Sequence, residues 1–421
     1  MLKNQPIVGD KVQVVTKKGI EEGVLLDSHE PGVLLLKLKS GYNIGMKKED
    51  IKGMKVLEKA EIKVKKKISK SKGKPRIDII MTGGTISSSL DAKTGGVKPL
   101  TSPEDLFSFY PEVFELADVN IKNPFMKFSE NMIFNDWIRI AKEVVKSLND
   151  DECQGVIVTH GTDTLHYTAA ALSFFIRDLN KPVVLTYSQR SSDRGSSDAE
   201  LNLYCSAKVA LSNIGEIVLV GHASSNDDYC YVLQGNKCRK MHTSRRDAFQ
   251  SINTSPIAKV SKKEGVEILR NHWKRKKRKV VLDAKFQEKV GLIKFYPGQD
   301  PRIMDYYIKN KYKGLVLEMT GLGHVLTEGS DNWIPYIKKA IDNGIVVVGT
   351  AQTIYGRLQP MVYENGRKLM KTGLIFLKDM LSETALVKLG WVLGHKNWNV
   401  EEKMLENISK EFNERLGEDF F

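Results

Sequence analysis

A chain of 421 residues with 65 lysines and arginines against 51 acids, net +14, exceeds one ordinary core and predicts two or three domains. At 41% hydrophobic and 28% charged it reads as globular. No apolar run approaches the roughly 20 residues of a membrane helix, and MLKNQPIVGD lacks the apolar stretch of a signal peptide. Cys153, Cys205, Cys230 and Cys238 show no CxxC spacing, which argues against a zinc site or disulfide framework and for reduced thiols in a cytoplasm.

Residues 6 to 57 predict a small all-β module. Val12, Val14 and Val15, then Gly23 to Leu26, then Val33 to Leu38 are short apolar runs, separated by Lys18-Gly19, Glu30-Pro31-Gly32 and Ser40 to Asn43. That rhythm fits a barrel of SH3-like size, taken as residues 1–62. Lys63 to Arg76 follows with eight basic residues and no acid, a linker over 63–75 with too little apolar area to fold. Arg270 to Lys279 carries seven more, again without an acid. These two runs exceed the net charge, so the rest is nearly neutral. Localised positive charge predicts either an acidic partner such as nucleic acid or plain solvated loops.

From Pro75 the pattern becomes α/β. Ile77 to Met81, Gly155 to Val158, Val183 to Thr186 and Glu216 to Gly221 read as buried strands. Asn135 to Leu148, Leu165 to Leu179 and Ala199 to Ser212 read as helices between them. In the first helix Ile138, Ala141, Val145 and Leu148 share one stripe, with Asn135 or Asp136 as cap. The alternation predicts parallel βαβ units in a domain over 76–260. A basic connector over 261–287 then leads to a second α/β half over 288–421. Its strands are Val290 to Phe295, Gly314 to Glu318 and Ile345 to Thr350, and its helices are Asn332 to Asp342 and Ser382 to Leu393. The tail, Val400 to Leu416, predicts a charged amphipathic surface helix.

Two turns carry the chemistry. Thr82-Gly83-Gly84-Thr85-Ile86 and His160-Gly161-Thr162-Asp163-Thr164 each follow a buried strand. At the carboxyl ends of a parallel sheet they would present hydroxyls, a carboxylate and backbone N–H groups to one substrate. A threonine hydroxyl needs a positioned base to attack, and a desolvated Lys240 oriented by Asp163 would serve. Taken singly, Thr85 or Asp163 reads as a helix cap; the pair of turns argues against that. His160 and His166 read as packing residues, since no HExxH spacing occurs. Gly321-Leu322-Gly323 lacks a third glycine and is not a dinucleotide fingerprint. No GxSxG elbow and no GxxxxGK[ST] phosphate loop occurs.

These motifs, with Lys240 to Thr243, Asp247 to Phe249, Glu318 to Gly323 and Tyr355-Gly356-Arg357, resemble the L-asparaginase/glutaminase family over roughly residues 75 to 395. The resemblance implies an asparaginase-like α/β body of two parallel-sheet domains. It implies Thr85 as first nucleophile, with Thr162, Asp163 and Lys240 as the activating set. Ser129 and Glu130 would hold the substrate's α-carboxylate and α-amine, with Gly84 and Gly161 also lining the site. His324 stands at a position that would reach across a homodimer interface.

The N-terminal module, basic linker and Ser191 to Asn202 (SSDRGSSDAELN) extend the resemblance to the D-subunit family of archaeal glutamyl-tRNA(Gln) amidotransferases. That resemblance implies a glutaminase supplying ammonia to an E-type partner subunit that handles Glu-tRNA(Gln), ATP and Mg, with no cofactor or metal in this chain. Ser87 to Pro99 holds no aromatic residue where free asparaginases place a lid tyrosine. A free-standing cytoplasmic L-asparaginase remains the alternative. An RNA-binding module on an inactive body is a further one, against which the complete Thr/Thr/Asp/Lys set argues.

Overall fold

The structure, a computed structural model, describes residues 6–26, 28, 30–38, 43–59, 73–90, 97–99, 106, 108–190 and 197–415. Most of the basic linker, the middle of the Ser87 to Pro99 stretch, positions 191–196 and the last six residues lie outside that set.

The first unit is all-β. Strands β1 (Lys11–Thr16), β2 (Ile20–Leu26), β3 (Val33–Leu38), β4 (Asn43–Lys47) and β5 (Ile51–Glu58) lie antiparallel in the order β4-β3-β2-β1-β5. Alternation sets the faces of β1: Val12 and Val14 join Leu25 and Leu36 in a small core, while Gln13 between them hydrogen-bonds Glu22. Two register shifts between β1 and β5 bend the sheet toward a barrel.

The body opens with β6 (Arg76–Met81), then the short antiparallel pair β7 (Ser88–Leu90) and β8 (Val97–Pro99), helix α1 (Pro111–Leu116) and β9 (Asp118–Lys122). It continues through α2 (Phe134–Leu148), β10 (Cys153–Thr159), α3 (Leu165–Phe175), β11 (Ile176–Arg177), β12 (Val183–Thr186), α4 (Ala199–Ala210) and β13 (Ile217–His222). Strands β9, β6, β10, β12 and β13 are adjacent and parallel. Their apolar runs are nearly continuous because helices cover both faces. Ile80, Val156 and Val158 pack with residues of α2 and α3, whereas Ile77, Ile79 and Ile157 pack with residues of α1 and α4.

The expectation of purely parallel units fails beyond β13. Only residues 223–229 separate it from β14 (Cys230–Gln234), too few for a crossover helix, so the chain returns antiparallel. The hairpin β15 (Cys238–Lys240) and β16 (Phe249–Ser251) follows, then β17 (Ala258–Ser261) and β18 (Gly265–Ile268), which complete an eight-stranded mixed sheet. Strand β19 (Val281–Leu282) pairs with β11.

The second half is β20 (Val290–Lys294), α5 (Ile303–Lys309), β21 (Gly314–Met319), α6 (Ile334–Asp342), β22 (Val346–Ala351), α7 (Glu364–Met370) and β23 (Ile375–Phe376). Its four strands are parallel in chain order. Helices α8 (Ser382–Leu393) and α9 (Val400–Leu405) follow. Helix α8 packs on α3, with Trp391 stacked on Phe174 at 5.6 Å.

Local expectations shift in three places. The buried stripe of α2 is Trp137, Ile140, Ala141, Val144 and Leu148, with Ile138 and Val145 at its margin. Neither Asn135 nor Asp136 is the cap; Asp136 sits in the first turn and its carboxylate accepts the Ile133 N–H at 3.0 Å. Arg270 to Lys279 is not a solvated loop: Arg270 Nε reaches Ser255 O at 2.8 Å and Arg275 Nη2 reaches Ala210 O at 2.7 Å, where α4 exposes its last carbonyls. The tail is helical only to Leu405, and beyond it Glu411 and Phe412 are buried.

Candidate active site

Strands β6 and β10 are parallel neighbours with Met81 beside Thr159, so their following turns emerge side by side at the carboxyl edge. Two hydroxyls stitch them below the surface. Thr82 Oγ1 donates to Thr159 O at 2.8 Å, and Ser87 Oγ lies 2.6 Å from Thr159 Oγ1. Gly84 makes the approach possible. It has φ +82°, and a Cβ there would lie 2.6 Å from the backbone of His160 and Gly161. Thr85, the next residue, begins a 3-10 turn and is half-buried.

Lys240 comes from a third element. Lys240 ends β15, paired with Phe249, and its Nζ lies 2.8 Å from Thr162 Oγ1 and 2.7 Å from Asp163 Oδ1. The lysine side chain is 13% exposed and the aspartate 61%, so the pair opens to solvent on the carboxylate side only. Its loop is anchored at a distance: Tyr187 Oη donates to Arg246 O at 2.8 Å, and Arg246 pairs with Asp227.

Ser129 begins the short turn Ser129–Asn131 and is buried. Its Oγ accepts the Asp163 N–H at 3.2 Å, and its carbonyl accepts Thr164 Oγ1 at 2.7 Å. A Cβ on Gly161 would sit 2.8 Å from that Oγ, so the serine packs directly on the second turn. Glu130, the next residue, is exposed. Thr162, Asp163, Lys240, Ser129, Gly84 and Gly161 thus meet at one place, with Thr85 and Glu130 each one residue from a contact in it.

Histidines behave as packing residues. His160 Nδ1 meets Gly161 O at 2.7 Å and Nε2 meets Thr168 Oγ1 at 2.8 Å, and burial lowers its pKa to about 4. Burial, helped by Arg239 and Lys240, lowers that of His166 to about 3. Beside it Glu383 is buried, its pKa raised by desolvation against the opposing Arg239, whose Nε lies 3.0 Å away. The ring of His324 lies edge-on to Tyr363 at 5.4 Å. Among the described residues no cluster of His, Cys, Asp or Glu is arranged to hold a metal ion.

Sequence reasoning misses the supporting layer. Thr159 and Ser87 give no signal because a buried hydroxyl reads like any strand-end residue. Arg239 and Glu383 are 144 positions apart and are joined only by the docking of α8.

Comparison with known proteins agrees with this geometry. Residues 76–274 match the asparaginase N-terminal domain, 289–404 the glutaminase/asparaginase C-terminal domain, and 7–57 the GatD N-terminal domain. The D-subunit of the glutamyl-tRNA(Gln) amidotransferase of Thermococcus kodakarensis is 46% identical, over 96% of this chain and 94% of its own. That of Pyrococcus abyssi is 47% identical over the same shares. This chain belongs to the D-subunit family of glutamyl-tRNA(Gln) amidotransferases. Among solved structures, the thermostable L-asparaginase from Thermococcus kodakarensis superposes with a TM-score of 0.72 at 30% identity, covering 80% of this chain and 99% of its own. L-asparaginase I from Vibrio cholerae does so at 0.69 and 26%, covering 81% and 99%. A D-subunit therefore carries a complete asparaginase-like body behind its N-terminal barrel. No helix among the described residues is long and apolar enough to cross a membrane.

Proposed function

We infer that this chain is the glutaminase subunit of a glutamyl-tRNA(Gln) amidotransferase, an amidohydrolase that supplies ammonia for converting Glu-tRNA(Gln) to Gln-tRNA(Gln) on a partner subunit. The observation that carries this is the match over nearly the whole chain, N-terminal module included; the likeness to free L-asparaginases covers the body alone. In this reading the Thr85 hydroxyl attacks the side-chain amide carbon of glutamine. The proton it releases passes through Thr162 to Lys240 in its amine form, and from there to the departing nitrogen as the C–N bond breaks. Water then hydrolyses the glutamyl ester, releasing glutamate. Backbone N–H groups beside Thr162 stabilise the oxyanion. Ser129 and Glu130 hold the α-carboxylate and α-amine. ATP and Mg serve the partner's step, and the working unit is a homodimer joined to an E-type partner, in a cytoplasm.

The Lys240–Asp163 pair is open to solvent on its carboxylate side. Docking of the partner, by closing the site and excluding water from it, would strengthen the electrostatics that stabilise the oxyanion. Glutamate release should then rise about 10-fold or more when partner and Glu-tRNA(Gln) are added, equivalent to roughly 1.4 kcal/mol of barrier. Steady-state assays with and without them test this. Equal, fast turnover in both, with asparagine the better substrate, favours a free asparaginase instead.

A further inference from the structure

The second basic run is built unlike a solvated loop. Two of its arginines face inward, Arg270 on Ser255 O and Gln234 Oε1 and Arg275 on Ala210 O and Ser212 O, while the exposed Arg278 pairs with Asp178 at 3.0 Å. The backbone is fixed between them. Gly215 N donates to Trp273 O, Lys276 N to Asn180 O at 3.1 Å, and Val280 N to Asn149 Oδ1 at 2.8 Å. A Cβ on Gly215 would fall 2.4 Å from Lys274 O, so the strap lies flat on the body. The lysines are what remains. Lys274, Lys276, Lys277 and Lys279 are exposed, and no ion pair joins any of them to an acid among the described residues.

The strap's location excludes substrate recruitment. Asn149, Asn180 and Gly215 lie two to four residues before the starts of β10, β12 and β13, whereas the candidate turns follow the other ends of β6 and β10. The seven residues of β10 put about 20 Å between the two edges at the usual rise per residue. Beside the strap an open groove of about 750 Å³ is lined by Lys181, Lys276, Lys277 and Lys279, with one acid, Asp151, on its wall. Lysines carried on a fixed backbone meet a row of phosphates without the strap itself having to be ordered, and the release of counterions drives the contact.

We propose that Arg270–Lys279 is a docking ledge for the phosphate backbone of RNA, on the edge of the body opposite the glutaminase turns. The identification of the RNA as the complex's tRNA rests on the function inferred above.

The test uses the complex with its partner subunit, wild type and K274Q/K276Q/K277Q/K279Q, binding labelled tRNA(Gln) transcript by anisotropy between 50 and 200 mM salt. Each lost phosphate contact lowers the log–log salt slope by about 0.7 to 0.9, so the variant should lose about 2 to 4 from it and bind about 10-fold or more weakly at low salt. An unchanged slope overturns the proposal, as does loss of the partner from the purified variant, which would make the strap a protein interface. Without tRNA, glutamine hydrolysis by the variant complex should match wild type, since none of the four lysines touches the site, and this also shows that it folds. Amide transfer from glutamine by the wild-type complex reports separately on the inferred function.

Discussion

Gly84→Ala isolates the contact between the two candidate turns. A Cβ at this position would lie 2.6 Å from the Gly161 nitrogen and the His160 carbonyl, about 0.8 Å short of ordinary contact, and both neighbours are backbone held in place by β10. The turns must separate, carrying Thr85 away from Thr162 and Lys240. A displacement near 1 Å in a reacting pair costs about 10² in rate, so glutamate release should fall by about that factor. The left-handed backbone adds a separate stability cost of about 1 to 2 kcal/mol. Gly298 separates these effects: its φ is +80°, close to the +82° of Gly84, and a Cβ there meets nothing within 4 Å. Gly298→Ala should therefore lose comparable stability and keep full turnover. Steady-state glutamate release and urea midpoints on both variants decide the matter. Full activity in Gly84→Ala would refute the claim that this glycine sets the distance between Thr85 and the Thr162–Lys240 pair.

Two other expectations follow from the site. Thr85→Val, Thr162→Val, Asp163→Asn and Lys240→Ala should each reduce glutamine hydrolysis by about 10² or more, with strongly non-additive double variants, while the partner's amidation with free ammonium survives; full activity in Lys240→Ala would remove it from the mechanism. Acid should destabilise the fold through His160 and His166, whose native pKa values of about 4 and about 3 lie below the ordinary 6.5. Both stay neutral in the folded chain while the unfolded chain takes up protons below 6.5. Stability is therefore unaffected above that pH and falls by about 1.4 kcal/mol per unit per histidine as pH drops toward 4. A urea midpoint that is flat between pH 6.5 and 4.5 would contradict this.

The parallel half of the fold is legible in the sequence because its strands are short apolar blocks, each followed by glycine and hydroxyl residues. A strand covered on both faces has that pattern and little else. The candidate turns are legible for the same reason, since Gly83-Gly84 and Gly161 mark places where backbones touch. Strands β14, β17 and β18 are not. They run over only four or five positions, too few for periodicity to declare itself. The arginines of Arg270 to Lys279 register only as charge, because a guanidinium capping a helix's last carbonyls and a solvated one look alike in sequence. Long-range pairs are invisible: Lys240 and Thr162 are 78 positions apart, and only the β15–β16 hairpin brings them together.

The tail shows how far a correct pattern can mislead. Val400 to Leu416 has the spacing of a charged surface helix, yet its acid Glu411 is fully buried and bonds Lys388 of α8, also fully buried, at 2.5 Å. Met404 O and Glu406 O complete the ammonium's partners at 3.0 and 2.6 Å. Burial lowers the lysine's pKa, and Glu411 opposes that shift. The two charges are tolerated only together. Removing one partner of such a pair costs about 3 to 5 kcal/mol, because the remaining charge stays dry and unmatched, while replacing both with apolar groups costs far less. Glu411→Gln should therefore release the tail, giving early proteolysis after Leu405 and faster amide exchange at Ser409 and Asn413, whose N–H groups bond Glu411 and Asp379. Lys388→Met with Glu411→Leu should restore much of the protection. Unaltered exchange in Glu411→Gln would mean that apolar contacts such as Phe412 hold the tail and that the ion pair only fills the space between them.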